Sequence, residues 1–131
     1  MGDPPLTGLR LLDLSHNLAG PLTAMHLADL GAEVTKVERP EGDEWREHER
    51  IPGHPGRSRH YVQANRGKRA VCLDLTREPA REVLRALIAR ADVLVTNMRP
   101  GVPERLGFGW EQARALNACL VYCAISAFGQ E

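Results

Sequence analysis

The chain has 131 residues, 43% of them hydrophobic, which is enough to bury the core of one domain. Lys plus Arg and Asp plus Glu number 17 each, so no global field favours nucleic acid or an anionic membrane surface. No apolar run reaches the length of a membrane span. The opening Met1-Gly2-Asp3-Pro4-Pro5 is neither a charged signal start nor an amphipathic transit segment, so a cytoplasmic protein without a membrane partner is expected.

Leu9 to Leu14 is an apolar run of strand length, closed by the turn Ser15-His16-Asn17-Leu18-Ala19-Gly20-Pro21. Gly20 suits a helix cap and Pro21 a first helical position, with Leu22 to Leu30 apolar on most faces and Gly31 as the stop. Glu33 to Glu38 alternates as a second strand, so the segment reads as a βαβ unit with a right-handed crossover. The free N–H groups at that helix start, together with its positive dipole end, predict an anion as guest.

From Pro40 to Lys68 the residues are polar and rich in Gly, Pro, His and Arg, with no sustained period. The stretch is expected to be a long loop acting as a lid or ligand-contact segment, with one short ordered piece at Tyr61-Val62-Gln63. His48, His54 and His60 match neither a helical nor a strand face, which argues against a metal site. Asn65-Arg66-Gly67-Lys68-Arg69 reads either as a solvated run of cations or as part of an anion site.

Ala70 to Leu75 is a third strand-length run, followed by Thr76 as a helix cap with Glu78 and Pro79 in the first turn. Val83, Leu84, Leu87, Ile88 and Ala91 recur at helical spacing. Asp92 to Thr96 is a parallel-type strand ending in Asn97-Met98-Arg99-Pro100-Gly101. Pro103 to Leu106 and Trp110 to Leu116 read as helices, and Cys119 to Ile125 as the last strand. Cys72, Cys119 and Cys123 fall in these apolar runs, where free thiols are expected to behave as small buried hydrophobes; Cys119 and Cys123 should share one strand face.

Alternating strands and helices predict an α/β fold, Rossmann-like, with a mostly parallel sheet and flanking helices. Ser15-His16-Asn17, Glu38-Arg39, Asn97-Met98-Arg99 and Ser126 each follow a strand and should meet at its carboxyl edge. Arg39 and Arg99 there would suit a phosphorylated ligand, because guanidinium meets phosphate through paired hydrogen bonds. Glu38 also stands where dinucleotide enzymes hold ribose, but the turn from Ser15 to Gly20 lacks G-x-G-x-x-G, which argues against an NAD-dependent enzyme.

On Leu6-Thr7-Gly8-Leu9-Arg10-Leu11-Leu12-Asp13-Leu14, Ala19-Gly20-Pro21, Leu27 to Val34, Lys36-Val37-Glu38, Asn65 with Lys68-Arg69, Leu73-Asp74-Leu75, Ala91 to Val95, Arg99-Pro100-Gly101, Arg105-Leu106-Gly107 and Phe128-Gly129-Gln130, the sequence resembles the N-terminal part of the family III CoA-transferases. That family includes formyl-CoA and carnitine CoA-transferases and the related α-methylacyl-CoA racemases. The resemblance implies the N-terminal half of the family's large domain, with residues 1–131 forming a CoA-binding region. By the same resemblance His16, Asn17, Leu18 and Ala19 line the CoA site and Arg39 contacts the nucleotide. Lys68 and Arg105 would meet phosphates, and Asn97 with Met98 the adenine or pantetheine. Coenzyme A enters as a substrate, with acyl-CoA and carboxylic acid partners and no metal.

The resemblance also implies an aspartate nucleophile carrying a covalent intermediate. It lies beyond the Phe-Gly-Gln turn, so no catalytic residue is expected among these residues, and the chain reads as a truncated piece inactive by itself. The family's interlocked homodimer then becomes the parent's expected assembly, or a separate chain carries the catalytic half. Asn97 before Met98-Arg99-Pro100-Gly101 favours the transferase branch over the racemase branch. A non-catalytic nucleotide-binding or assembly module is the alternative from a different class.

Overall fold

A computed structural model describes residues 2–55 and 58–129. The strands are β1 (Arg10–Leu14), β2 (Glu33–Glu38), β3 (Arg69–Cys72), β4 (Val93–Thr96) and β5 (Val121–Ala124). They form one parallel 5-stranded sheet in the order β3-β2-β1-β4-β5. The helices are α1 (Ala19–Asp29), α2 (Arg59–Asn65), α3 (Glu78–Ile88), α4 (Val102–Leu106) and α5 (Trp110–Leu116). On one side of the sheet α1 packs with α2, and α3 packs with α5 in a second layer.

Strand alternation sorts the core between these layers. Leu12, Leu14, Val37 and Leu94 pack with Leu84, Ile88 and Phe108, whereas Leu11, Val34 and Val95 pack with Ala24 and Ala32. Burying such a side chain contributes roughly 1.5–3 kcal/mol, so the sheet holds through both faces. The chain reverses direction across the sheet between β1 and β4, which are neighbours although β2 and β3 intervene in sequence. In open parallel sheets a crevice opens at such a switch point, beyond the carboxyl ends of the strands.

Several expected boundaries shift. Helix α1 begins at Ala19 with Leu18 as its cap, so Pro21 stands in the third helical position, where a missing N–H still costs nothing. Thr76 is not the cap of α3, which is Arg77; the Thr76 N–H and hydroxyl both donate to Asp74 Oδ1, closing a side-chain turn before the helix starts. Strand β3 ends at Cys72; the Leu73 N–H still donates to the Glu38 carbonyl at 2.8 Å, and Asp74 and Leu75 leave the sheet. Val83 is exposed, since α3 buries only a narrow stripe of Leu84 and Ile88.

The cysteines also depart from expectation. Cys72 and Cys119 are exposed and Cys123 is half-buried, because β3 and β5 are the two sheet edges and Cys119 lies before β5 begins. Gln130, the last residue of the Phe-Gly-Gln motif, lies outside the described residues.

The stretch 40–68 is more ordered than its composition suggests. It contains a 3-10 turn, Glu44–Arg46, and all of α2. Ser58, fully buried, caps α2 by accepting the Tyr61 N–H at 2.9 Å and donates to the Trp45 carbonyl. Ser58→Ala should cost about 1–2 kcal/mol in urea unfolding, the usual worth of such a cap.

Candidate functional site

A cavity of about 770 Å³ opens at the switch point. Its lining comes from the segments that follow four strands: Leu14 to His16 after β1, Glu38 to Glu44 after β2, Leu73 to Thr76 after β3, and Asn97 to Arg99 after β4, with Val102 and Leu106 of α4 closing one side. Leu14, Val37, Leu73, Leu75, Met98 and Leu106 make its walls apolar, while His16, Arg39 and Arg99 bring polar and cationic groups. Three of the four expected polar clusters thus converge. Ser126 stays apart, its hydroxyl closing a local turn with both the N–H and the carbonyl of Gly129.

Of the residues anticipated for the site, His16, Arg39, Asn97 and Met98 line the cavity. Asn17, Leu18 and Ala19 continue from His16 into α1, and Arg105 is exposed on α4; none of these four is among the lining residues. The Leu73 to Thr76 segment is a lining element that the sequence pattern missed, with Leu73 to Leu75 expected in a strand and Thr76 as a helix cap. Its signal was Asp74 two residues before Thr76, a pair that favours a side-chain turn over a continuing strand.

The His16 turn is held from two sides. Asn97 Oδ1 accepts the His16 N–H at 2.9 Å, and Asn97 Nδ2 donates to the His16 carbonyl at 2.7 Å. Asn17, with φ of 62°, donates its N–H to Asp43 Oδ1 at 3.3 Å. Gly20 follows at the first turn of α1, where a Cβ would lie 2.2 Å from the Ser15 Cβ.

Beneath the turn lies a buried chain of alternating charges. Lys68 Nζ reaches Asp13 Oδ2 at 2.7 Å, Lys36 Nζ lies 3.9 Å from the same oxygen, and Lys36 Nζ lies 3.3 Å from Asp43 Oδ2. All four side chains are at most 2% exposed. Lys68 Nζ also donates to the Pro21 carbonyl and to Asn65 Oδ1, and Lys36 Nζ to the Ser15 carbonyl. Burial pulls the Lys68 ammonium below its ordinary value, with Asp13 opposing. Lys68 is therefore committed to the fold's interior, whereas its neighbours Arg66 and Arg69 form exposed pairs with Asp29 and Glu33.

Glu38 is similarly engaged. Its two carboxylate oxygens accept from Arg46 Nε and Nη2, each at 2.9 Å, and the Tyr61 hydroxyl donates to Oε1 while the Arg46 guanidinium stacks 3.8 Å from the Tyr61 ring centre. Glu38 fastens the long connection to β2 and is not left open for a ribose. Burial pushes its carboxyl up, but the Arg46 and Tyr61 hydrogen bonds outweigh this and hold it below the ordinary 4.5. Burial, with Glu38 alongside, pushes the Tyr61 phenol up.

Because the folded carboxyl titrates below the unfolded one, its stabilisation is complete above about pH 4.5 and is lost as pH falls through the lower folded value. Thermal melts between pH 6 and pH 3 should show a fall in stability with acid that is shallower in Glu38→Gln.

Comparison with known proteins bears on this geometry. A probable fatty acyl-CoA transferase of Mycobacterium tuberculosis is 43% identical over 126 residues, covering 95% of this chain and 32% of that protein. A succinate–glutarate CoA-transferase of Agrobacterium fabrum is 39% identical, covering 97% of this chain and 33% of its own length. The crystal structure of a CaiB/BaiF family protein from Brucella suis superposes with a TM-score of 0.93 at 38% identity, over 99% of this chain and 35% of that one. The chain thus spans about a third of the length of the curated relatives it matches. The profile of CoA-transferase family III matches residues 6–131, and the chain belongs to that family.

Proposed function

We propose that the chain is the CoA-binding portion of a CoA-transferase that moves CoA from an acyl-CoA donor to a carboxylic acid acceptor. The observation that carries this reading is the convergence of segments from four strand ends on one apolar cavity with cations at its margin. Apolar walls suit an adenine ring or a pantetheine arm. Arg99, which has no ion pair among the described residues, and Arg39, whose pairing with Glu44 is exposed, suit phosphates. The resemblance of Asn97 before Met98-Arg99-Pro100-Gly101 to the transferase branch and the names of the relatives support transfer over racemisation.

In this reading an aspartate carboxylate attacks the donor thioester carbonyl, the C–S bond breaks and CoA thiolate leaves an acyl–aspartyl anhydride. The thiolate then attacks the aspartyl carbonyl, releasing the donor acid and leaving an aspartyl–CoA thioester. The acceptor carboxylate displaces the thiolate from it, and attack of the thiolate on the acceptor carbonyl releases new acyl-CoA and restores the aspartate. Asp13 does not serve, since Lys68 and the Ser15 N–H hold its oxygens in the interior. The nucleophile is proposed to lie in the two thirds of the relatives' length that this chain does not span, in a parent that assembles as an interlocked dimer. The part played by the present residues is to bind CoA and keep its thioester end in a fixed place.

Calorimetric titration of the 131-residue chain with CoA, beside NAD, tests the reading. Saturable heat with CoA alone is expected. Arg39→Ala should weaken binding about tenfold, the worth of one charge-assisted contact near solvent. Heat with NAD alone, or none with CoA, would overturn it.

A further inference from the structure

We propose that Asn97 is a positioning residue: its carboxamide grips the backbone N–H and carbonyl of His16 together and sets the turn that CoA meets. The inference rests on the CoA-binding reading above and deepens it. In β1 and β4 the last register partners are Leu14 and Thr96. One residue further the backbones separate, β1 into the His16 turn and β4 toward α4. There the Asn97 side chain replaces the missing rung, its oxygen on the His16 N–H at 2.9 Å and its nitrogen on the His16 carbonyl at 2.7 Å.

This pairing has one sense. A flipped amide would set donor against donor and acceptor against acceptor, so the two bonds fix the amide as drawn. Both backbone polar groups of His16 are used, and so is one function from each end of the carboxamide. The position itself is braced: the Met98 N–H bonds Thr96 Oγ1 at 3.4 Å, and the Thr96 carbonyl accepts the Ile125 N–H at 2.8 Å. Gly20 at the start of α1 also lies near this amide, since a Cβ added there would come within 3.6 Å of Asn97 Cγ. Asn97 thereby couples the two chain segments on either side of the switch point. Any group that His16 and the following residues present to CoA is placed through it.

The charge change in Asn97→Asp makes a specific test. An ionised carboxylate accepts the His16 N–H but cannot donate to the His16 carbonyl and repels it; a protonated one does both, as the amide does. CoA affinity of the folded Asn97→Asp chain should be about tenfold below wild type at pH 8, following the worth of one hydrogen bond. Wild-type affinity in Asn97→Asp would overturn the proposal.

Hydrogen exchange supplies the second measurement. The His16 amide should be protected in the wild-type chain and exchange about tenfold faster in Asn97→Ala. An unprotected His16 amide in the wild type would overturn the proposal whatever the variants do. A wild-type chain that protects His16 but binds no CoA would instead overturn the functional reading and leave the bracket standing.

Discussion

Replacing Lys36 by methionine is expected to cost the fold about 3–5 kcal/mol, the penalty of leaving buried charge without its partner. Lys36 stands between two carboxylates, Asp13 and Asp43, with all three side chains at most 1% exposed. Methionine fills similar space and removes the ammonium, so Asp43 loses its cation and Asp13 keeps only Lys68. Equilibrium unfolding in urea measures the loss. The control is Arg10→Ala, which breaks an ion pair with Asp92 whose partners are 50% and 40% exposed, and should change stability by no more than about 1 kcal/mol. Adding Asp43→Asn to Lys36→Met should recover part of the loss, because the orphaned carboxylate disappears; strict additivity of the two would contradict the coupled chain.

The second large effect is expected at Gly20, and its sign runs against helix propensity. Inside an exposed helix, Gly→Ala stabilises by roughly 0.5–1 kcal/mol. Here the new methyl would lie 2.2 Å from the Ser15 Cβ and 2.3 Å from its hydroxyl, and Ser15 is itself buried at the end of β1. The Cβ is fixed to the backbone and the hydroxyl is held on Asp13 Oδ1, so the first turn of α1 must move away from the strand. A net loss of about 1–3 kcal/mol follows, in the range of core overpacking. The displaced turn carries Asn17 to Ala19, so CoA affinity should fall with it. A stabilised Gly20→Ala chain with intact affinity would mean the close approach is not required.

The alternation of strands and helices was readable because each element repeats its own period: β2 was placed at Glu33–Glu38 and α5 at Trp110–Leu116 from pattern alone. Exposure was less readable. Cys72 and Cys119 look like core residues until the strand order makes β3 and β5 edges, and order is a property of the whole sheet. Lys68 stood in a run of cations open to either solvent or an anion, with the family resemblance placing it on phosphate; its partner Asp13 is 55 positions away and carries no local mark. Asp13 and Lys36 do occupy one register rung of β1 and β2, so opposite charges on adjacent inward positions were a usable sign. Around the cavity, the clusters after β1, β2 and β4 were legible as polar residues ending apolar runs. The role of the amide in Asn97 was not, since its bonds go to a peptide rather than to any motif.

The bracket between His16 and Asn97 joins positions 81 apart in the chain. Strand β1 is made early on the ribosome but meets its second neighbour only when β4 has emerged. At about 5–20 residues per second that interval is several seconds. During it the switch-point crevice has no second wall, and one edge of the central strand stays unpaired. The nascent chain therefore carries the two walls of its cavity as separate halves, with the open edge of β1 available to any other strand throughout that time. Synonymous slowing of translation before β4 should lengthen this exposure without changing a single contact of the finished fold.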